Sequence, residues 1–77
     1  MNDRPMTYGE RAVGLNFNPS GDANVAKLKQ AFAEIIDHLS DAREELSDGE
    51  AKRLYSIAIT EAQTAQMWAV KAITWRS

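Results

Sequence analysis

Apolar residues recur at alternating steps of three and four along the middle of the chain. They are Val25, Leu28, Phe32, Ile35, Leu39, Ala42 and Leu46. This heptad spacing predicts a helix over residues 22–46, with Ser20 or Asp22 as its N-cap. Polar residues occupy the opposite side and form a predicted solvated face, made of Lys27, Gln30, Glu34, Asp37 and Asp41. The pattern therefore indicates one long amphipathic helix.

A second helical pattern follows, and small residues dominate it. Its positions are Ala51, Tyr55, Ala58, Ala62, Ala65, Ala69 and Ala72. The sequence Ser47-Asp48-Gly49-Glu50 has the S-x-x-E form of a capping box, which predicts a helix over residues 48–74 that begins at Ser47. Because so few residues separate the two helices, they should form an antiparallel hairpin whose small residues allow close approach.

The N-terminal region contains three of the four glycines and both prolines. Its turn signals are Tyr8-Gly9, Asn18-Pro19 and Ser20-Gly21. We predict an irregular arm or short helix over residues 1–21, held to the hairpin by Leu15 and Phe17. The predicted fold is thus all-α, a single domain over residues 1–77 in which this arm packs on an antiparallel two-helix hairpin.

The segment TAQMWAVKAITW, residues 64–75, carries more apolar surface than such a hairpin buries. A surface helix buries one stripe, yet several apolar residues lie off the alanine stripe: Leu54, Ile57, Ile59, Trp68, Val70, Ile73 and Trp75. These residues need partners from the arm or from other copies of the chain. We therefore predict a homo-oligomer with an interface built from Met67, Trp68, Val70, Ile73 and Trp75.

Length and composition agree with this prediction. A chain of 77 residues is near the lower limit for a single core, and without cysteine it has no disulfides. Close helix packing or oligomerisation must then stabilise it. No apolar stretch reaches the roughly 18 residues of a membrane span, and the N-terminus lacks the apolar core of a signal peptide. The sequence predicts a cytosolic protein with no membrane partner.

Charge is distributed unevenly along the chain. The net charge is −2, with +1 on residues 1–29, −5 on residues 30–61 and +2 on residues 62–77. The acidic middle weighs against DNA as a partner because it would repel a long polyanion. Either end remains suited to a small anion.

Residues suited to catalysis are sparse. His38 is the single histidine and lies among acids, so we interpret it as a solvated helix residue. The sequence has no cysteine, no H-x-x-x-H pair, no P-loop and no G-x-G-x-x-G motif. We therefore expect no catalytic site, no metal site and no cofactor.

Lys71, the one charge inside the apolar segment, has two interpretations. It either extends its ammonium to water along an apolar stem or meets a bound anion at a subunit junction. Thr64, Gln63 and Gln66 nearby carry donors and acceptors that suit a base edge or a ribose.

The arm and the start of the first long helix also offer binding groups. Lys27 and Lys29 lie near the N-terminus of that helix, whose dipole favours phosphate. Tyr8 and Phe17 have rings on which a base can stack. Phe17 has a second interpretation as a core anchor, and this interpretation is slightly favoured.

Two segments, YGERAVGLNFNPSGD and AITEAQTAQMWAVKAITW, resemble the phage anti-CBASS and anti-Thoeris sponge family, whose members sequester the cyclic nucleotide signals of bacterial immunity. The MWAVKA core is the most specific part of the resemblance. It implies an N-terminal segment packed on two antiparallel helices, assembly as a hexamer, and binding without catalysis in the bacterial host cytoplasm.

The resemblance also implies where ligands bind. In the anti-CBASS branch, an N-terminal tyrosine and a helix lysine clasp cyclic dinucleotides between protomers, which points to Tyr8 and Lys29. Cyclic trinucleotides bind near a basic residue of the last helix, which points to Lys71. The anti-Thoeris branch binds cyclic ADP-ribose isomers, and both branches stay open, as does the choice of Tyr8 or Phe17 for stacking. The candidate ligand contacts are Tyr8, Arg11, Asn16, Phe17, Asn18, Lys29, Thr64 and Lys71.

Two functions follow from these observations. The first is non-catalytic sequestration of cyclic di- or trinucleotides or cyclic ADP-ribose isomers by a phage protein, which would block bacterial anti-phage signalling. The alternative is a helical interaction module that docks a larger phage or host protein through its apolar end.

Overall fold

The computed structural model describes residues 4–19 and 21–76, which form three helices and no strand. Helix α1 covers Tyr8–Ala12, α2 covers Ala23–Glu44 and α3 covers Gly49–Ile73. Helices α2 and α3 pack against each other across the turn at residues 45–48, and α1 packs on α2. The prediction of an all-α fold is confirmed. Among the described helices, none is long and apolar enough to cross a membrane.

Aspartates cap both long helices. Asp22 accepts hydrogen bonds from the backbone N–H groups of Asn24 (2.7 Å) and Val25 (3.3 Å); the other proposed cap, Ser20, lies outside the described residues. Asp48 caps α3 by accepting from the N–H groups of Glu50 and Ala51. Both caps satisfy N–H groups that have no partner within the helix.

The predicted capping box at Ser47 is therefore wrong. The cap is one residue later, because the carboxylate of Asp48 reaches the first free N–H groups of α3. The Glu50 side chain does not turn back toward the cap. It instead accepts two hydrogen bonds from the guanidinium of Arg53, at 2.9 and 3.0 Å.

The buried face of α2 differs from the predicted heptad stripe. Its buried residues are Val25, Lys29, Ala33 and Ile36, whereas Ile35 is 49% exposed. The difference arises because α2 contacts α1 as well as α3. The centre of its buried face is therefore rotated about the helix axis, away from the face that would contact α3 alone. For the same reason Asp37, predicted to be solvated, is half-buried.

The core is shared by all three helices and by the residues that follow α1. Ile59, predicted to lie off the α3 stripe, is 2% exposed and clusters with Val13, Ala33 and Ile36. Two of the alanines predicted to face the first helix, Ala65 and Ala72, are exposed. Ile59 therefore finds its partners within the chain, with Val13 supplied by the N-terminal region.

Helix α1 has only five residues, and a capping box stabilises it. The Thr7 hydroxyl accepts from the Glu10 N–H at 3.1 Å, and the Glu10 carboxylate accepts from the Thr7 N–H at 2.9 Å. Arg4 donates two more hydrogen bonds to the same carboxylate, at 2.9 and 3.1 Å. An isolated helix this short is unstable in water, so these local bonds and its packing on α2 both contribute.

Helix α1 approaches α2 at Gly9, where a side chain has no room. The Gly9 N–H donates to the Asp37 carboxylate of α2 at 2.7 Å. A Cβ at this position would overlap the backbone carbonyl of Ala33 and lie 2.9 Å from the Asp37 carboxylate. Glycine thus allows both the close approach and the hydrogen bond.

We expect Gly9→Ala to weaken the docking of α1, because the added methyl group must push the α2 backbone away. The free energy of unfolding should fall by about 1–3 kcal/mol, the usual range for overpacking. Chemical denaturation followed by circular dichroism measures this change. Gly49→Ala is the matched control, since a Cβ there meets nothing within 4 Å and alanine favours a helix. Equal stability of the two variants would contradict the close approach at Gly9.

Lowering the pH should destabilise α1, because protonation of the Glu10 carboxylate weakens its hydrogen bonds to Arg4 and Thr7. Hydrogen bonds from Arg4, and then from the Thr7 backbone, hold the pKa of the Glu10 carboxyl below its ordinary value. A carboxyl group with a lowered folded-state pKa contributes stability above its unfolded pKa of about 4.3, and this contribution is lost as pH falls through the folded-state pKa. Glu10→Gln should therefore be less stable than the parent at pH 7 and should lose less stability between pH 5 and pH 3. Denaturation curves across this range test it, with the exposed Glu61→Gln as control. Identical pH dependence in both variants would contradict the prediction.

Candidate functional site

A groove open to solvent lies between the N-terminal region and the second half of α3. Its volume is about 500 Å³, within the range of small-molecule sites. Two chain segments and one side chain from α2 line it: Arg11, Ala12, Val13, Gly14, Phe17, Lys29, Gln63, Gln66, Met67 and Val70. The groove thus brings together three of the predicted ligand residues, Arg11, Phe17 and Lys29.

The turn after α1 forms one wall of this groove, and Gly14 makes that turn possible. Gly14 has a φ of 64°, a left-handed conformation that glycine adopts without strain. The Leu15 N–H returns to the Glu10 carbonyl and the Gly14 N–H to the Arg11 carbonyl, which is the Schellman arrangement. The Phe17 N–H then donates to the Gly14 carbonyl at 2.8 Å. These bonds direct the chain back across α2.

Lys29 of α2 binds the turn that follows α1. Its side chain is buried, and its ammonium donates to the Gly14 carbonyl at 3.0 Å and to the Phe17 carbonyl. The ammonium also lies 5.5 Å from the centre of the Phe17 ring. A buried charge requires such partners. Two of its three N–H donors are therefore used within the chain, and the role of Lys29 as a ligand contact stays a prediction.

Phe17 and Arg11 present their side chains to solvent beside the groove. Phe17 is 72% exposed, so its interpretation as a core anchor is wrong. Arg11 is also exposed, and Nη1 donates to the Met6 carbonyl at 3.1 Å. A guanidinium carries five N–H donors, and the bond to Met6 uses one of the five donors of Arg11. Together they offer a flat ring and a cation at one rim.

A smaller depression of about 90 Å³ adjoins the groove and shares Phe17, Lys29 and Val70 with it. Asn18 lines this depression, with Thr74 of the α3 C-cap on the other side. The Asn18 amide also donates to the Asp22 carbonyl at 3.0 Å. Asn18 is therefore close to the groove, although it does not line it.

The other predicted ligand residues lie outside the groove. Tyr8, at the first turn of α1, is 41% exposed, and the Asn16 amide contacts the Met6 sulfur at 3.7 Å. The Thr64 hydroxyl donates to the Thr60 carbonyl. Lys71 is exposed, and its ammonium lies 5.4 Å from the centre of a Trp68 ring. Within the single chain these four residues do not form one site with Arg11, Phe17 and Lys29.

The predicted interface residues divide into two groups. Met67, Trp68 and Trp75 are 62–65% exposed, whereas Val70 and Ile73 are half-buried. Met67 and Val70 also line the groove. The sequence analysis predicted only an interface role for these two residues and missed that they line the groove. Nothing in the pattern of α3 shows that the turn after α1 lies opposite them.

The groove contains hydrogen-bonding groups but no group of metal ligands. Gln63 and Gln66 of α3 contribute carboxamides to its lining. No cluster of histidine and acidic residues that could hold a metal ion occurs in residues 4–19 and 21–76. The arrangement therefore offers cations, one aromatic ring, amides and apolar contacts, which suit binding of an anion with flat rings.

Comparison with known proteins agrees with this chemistry. A family model described as "Acb2/Tad1, hairpin domain" matches residues 10–74. No curated protein and no solved structure shows significant similarity to the chain. The match spans α2, α3 and most of α1, and it confirms the resemblance inferred from the sequence. The chain belongs to the Acb2/Tad1 hairpin-domain family, the phage sponges that bind cyclic nucleotide signals of bacterial immunity rather than catalysing a reaction.

Proposed function

We propose that this protein sequesters a cyclic nucleotide immune signal in the host cytoplasm during phage infection and releases it unchanged. The observation that carries the proposal is the groove, in which Arg11, Phe17 and Lys29 meet beside the carboxamides of α3. The ligand is a cyclic di- or trinucleotide or a cyclic ADP-ribose isomer. Sequestration lowers the free concentration of the signal, so the effector that depends on it stays inactive.

Each groove residue has a role that follows from ligand chemistry. The Arg11 guanidinium pairs with a phosphate through charge-assisted hydrogen bonds. The exposed ring of Phe17 stacks on a base. The Lys29 ammonium supplies positive charge from behind the turn, and its third N–H remains for a ligand oxygen.

The assembled form is a homo-oligomer, with a hexamer as the family resemblance implies. Exposed apolar residues support this part of the proposal: Phe17, Ile35, Leu54, Ile57, Met67, Trp68 and Trp75. These seven large apolar side chains, exposed on so short a chain, favour an interaction surface. Tyr8, Asn16, Thr64 and Lys71 are all at least partly exposed. The proposal assigns them to a ligand shared with an adjoining protomer, for which this exposure is necessary.

The same apolar surface favours a second function, a module that docks a larger phage or host protein. Trp68 and Trp75 suit such a partner as well as they suit another copy of the chain. This alternative gives no role to the cations of the groove. Ligand titration therefore separates the two functions.

Calorimetric titration with cyclic di- and trinucleotides and cyclic ADP-ribose isomers tests the proposal. At least one ligand should bind, and Arg11→Ala should weaken it roughly 10- to 100-fold, the effect of losing a hydrogen bond between charged groups. Arg53→Ala is the control, because Arg53 forms an exposed ion pair with Glu50 that contributes little. Heating the complex should return intact nucleotide. Flat titrations throughout would leave only the docking module, and cleaved nucleotide would contradict a sponge.

Trp68→Ala should weaken assembly while the protomer stays folded. Trp68 is 65% exposed within the protomer, so its removal leaves no cavity in the core. Light scattering should report a smaller particle at micromolar concentration, and circular dichroism should report unchanged helix content. Lys52→Ala, an exposed charge in the first half of α3, is the control. An unchanged particle size for Trp68→Ala would contradict an interface at this residue.

A further inference from the structure

Gln66 is the one glutamine of the groove that is almost completely buried. It is 5% exposed and lies on the buried face of α3, between the core residue Ile59 and the half-buried Val70. No described residue exchanges a hydrogen bond with its carboxamide. A polar side chain at such a position usually has a partner, because an unsatisfied amide lowers stability.

The free end of Gln66 points to the groove. Throughout residues 4–19 and 21–76, every side-chain nitrogen or oxygen that is fully buried has a hydrogen-bond partner. The Gln66 amide has no partner, so its nitrogen and oxygen must each keep some contact with solvent. Gln66 lines the groove, and the groove is where this contact occurs. The chain thus holds a donor and an acceptor side by side and leaves both open to a ligand.

A carboxamide selects for particular base edges. It pairs with an edge that has one donor next to one acceptor, as adenine has at N6 and N7, whereas guanine presents two acceptors at O6 and N7. The Watson–Crick edges do not separate the two purines, because guanine also has an acceptor next to a donor at O6 and N1. Selection for adenine therefore requires that the carboxamide meets the N6/N7 edge. Because the Gln66 side chain is buried, its methylene groups have little freedom to rotate. The carboxamide therefore favours one orientation of the base.

We infer that Gln66 is a specificity-determining residue that reads the N6/N7 edge of an adenine base in the groove. The inference rests on the proposed function and adds the base that the groove prefers. The Gln66 carbonyl accepts from the adenine N6 amino group, and its NH2 group donates to N7. Phe17, on the same groove, offers its ring as a stacking surface.

The test compares cyclic di-AMP with cyclic di-GMP by calorimetry on the parent protein and on Gln66→Met, whose side chain has similar length and no amide. The parent should bind the adenine ligand more tightly. The variant should lose roughly 10- to 100-fold of this preference, the discrimination of one bidentate contact. Gln30→Met is the matched control, since Gln30 is exposed on α2 and bonded to Glu34, and it should keep the parental ratio.

A second measurement separates recognition from a structural role. Without ligand, Gln66→Met should keep its oligomeric size and melt at the same or a higher temperature than the parent, because a buried amide without a partner is removed. A lower melting temperature or a smaller particle would mean that Gln66 has a structural partner, and it would overturn the inference.

The outcomes distinguish the two proposals. Binding of cyclic nucleotides with an unchanged preference in Gln66→Met, or a parent that prefers the guanine ligand, would overturn the adenine assignment and leave the sponge function standing. A parent that binds neither of these ligands but binds a trinucleotide without adenine would do the same. A cyclic ADP-ribose isomer carries adenine, so a parent that binds only such an isomer should bind it less tightly after Gln66→Met, and an unchanged affinity would overturn the assignment. Absence of binding to every ligand of the wider panel would overturn both.

Discussion

The arrangement of the groove depends on the need of one buried ammonium for partners. Lys29 lies on the face of α2 that packs against the rest of the chain, where an unpaired charge would be costly. The Gly14 and Phe17 carbonyls meet that need, and both belong to the turn after α1. The same bonds therefore satisfy the charge and determine where the turn lies. Because Phe17 and Arg11 flank this turn, their positions at the groove follow from the Lys29 contacts.

Periodicity and local turn chemistry predicted the helices but not the faces they bury. The heptad spacing placed a helix around Phe32, yet the buried face is centred on Ala33 and Ile36, and Ile35 is exposed. A periodic pattern reports an apolar side, whereas the buried side depends on how many neighbours pack against the helix. Here α1 packs on α2 in addition to α3, and its approach depends on Gly9. Sequence alone gave no sign that this glycine faces α2.

The candidate site was predictable by residue type and only partly by position. Positive and aromatic residues near the first long helix indicated an anion site, and Arg11, Phe17 and Lys29 do share the groove. Gln63 and Gln66 of α3 were singled out beside Lys71 as groups for a base or ribose. Their position opposite the turn could not be predicted, because the contact between the turn and α3 joins residues far apart in sequence. Ser47 shows the same limit on a smaller scale. Its motif predicted the cap one residue too early, because the neighbouring Asp48 carboxylate accepts from the Glu50 N–H that Ser47 would have capped.

Stability and the proposed ligand binding place opposite demands on the second half of α3. A sequence selected for stability alone would have an apolar side chain in place of the buried Gln66. It would also not leave the rings of Trp68 and Trp75 exposed. Residues that depart from the rules for a stable core occur most often at functional sites. Here the departures lie on one helix segment, with the unpartnered amide in the groove and the indole rings on the outer surface. This distribution is what a protein needs if assembly and ligand recognition use the same helix, because burial of the rings then stabilises the wall against which the ligand rests.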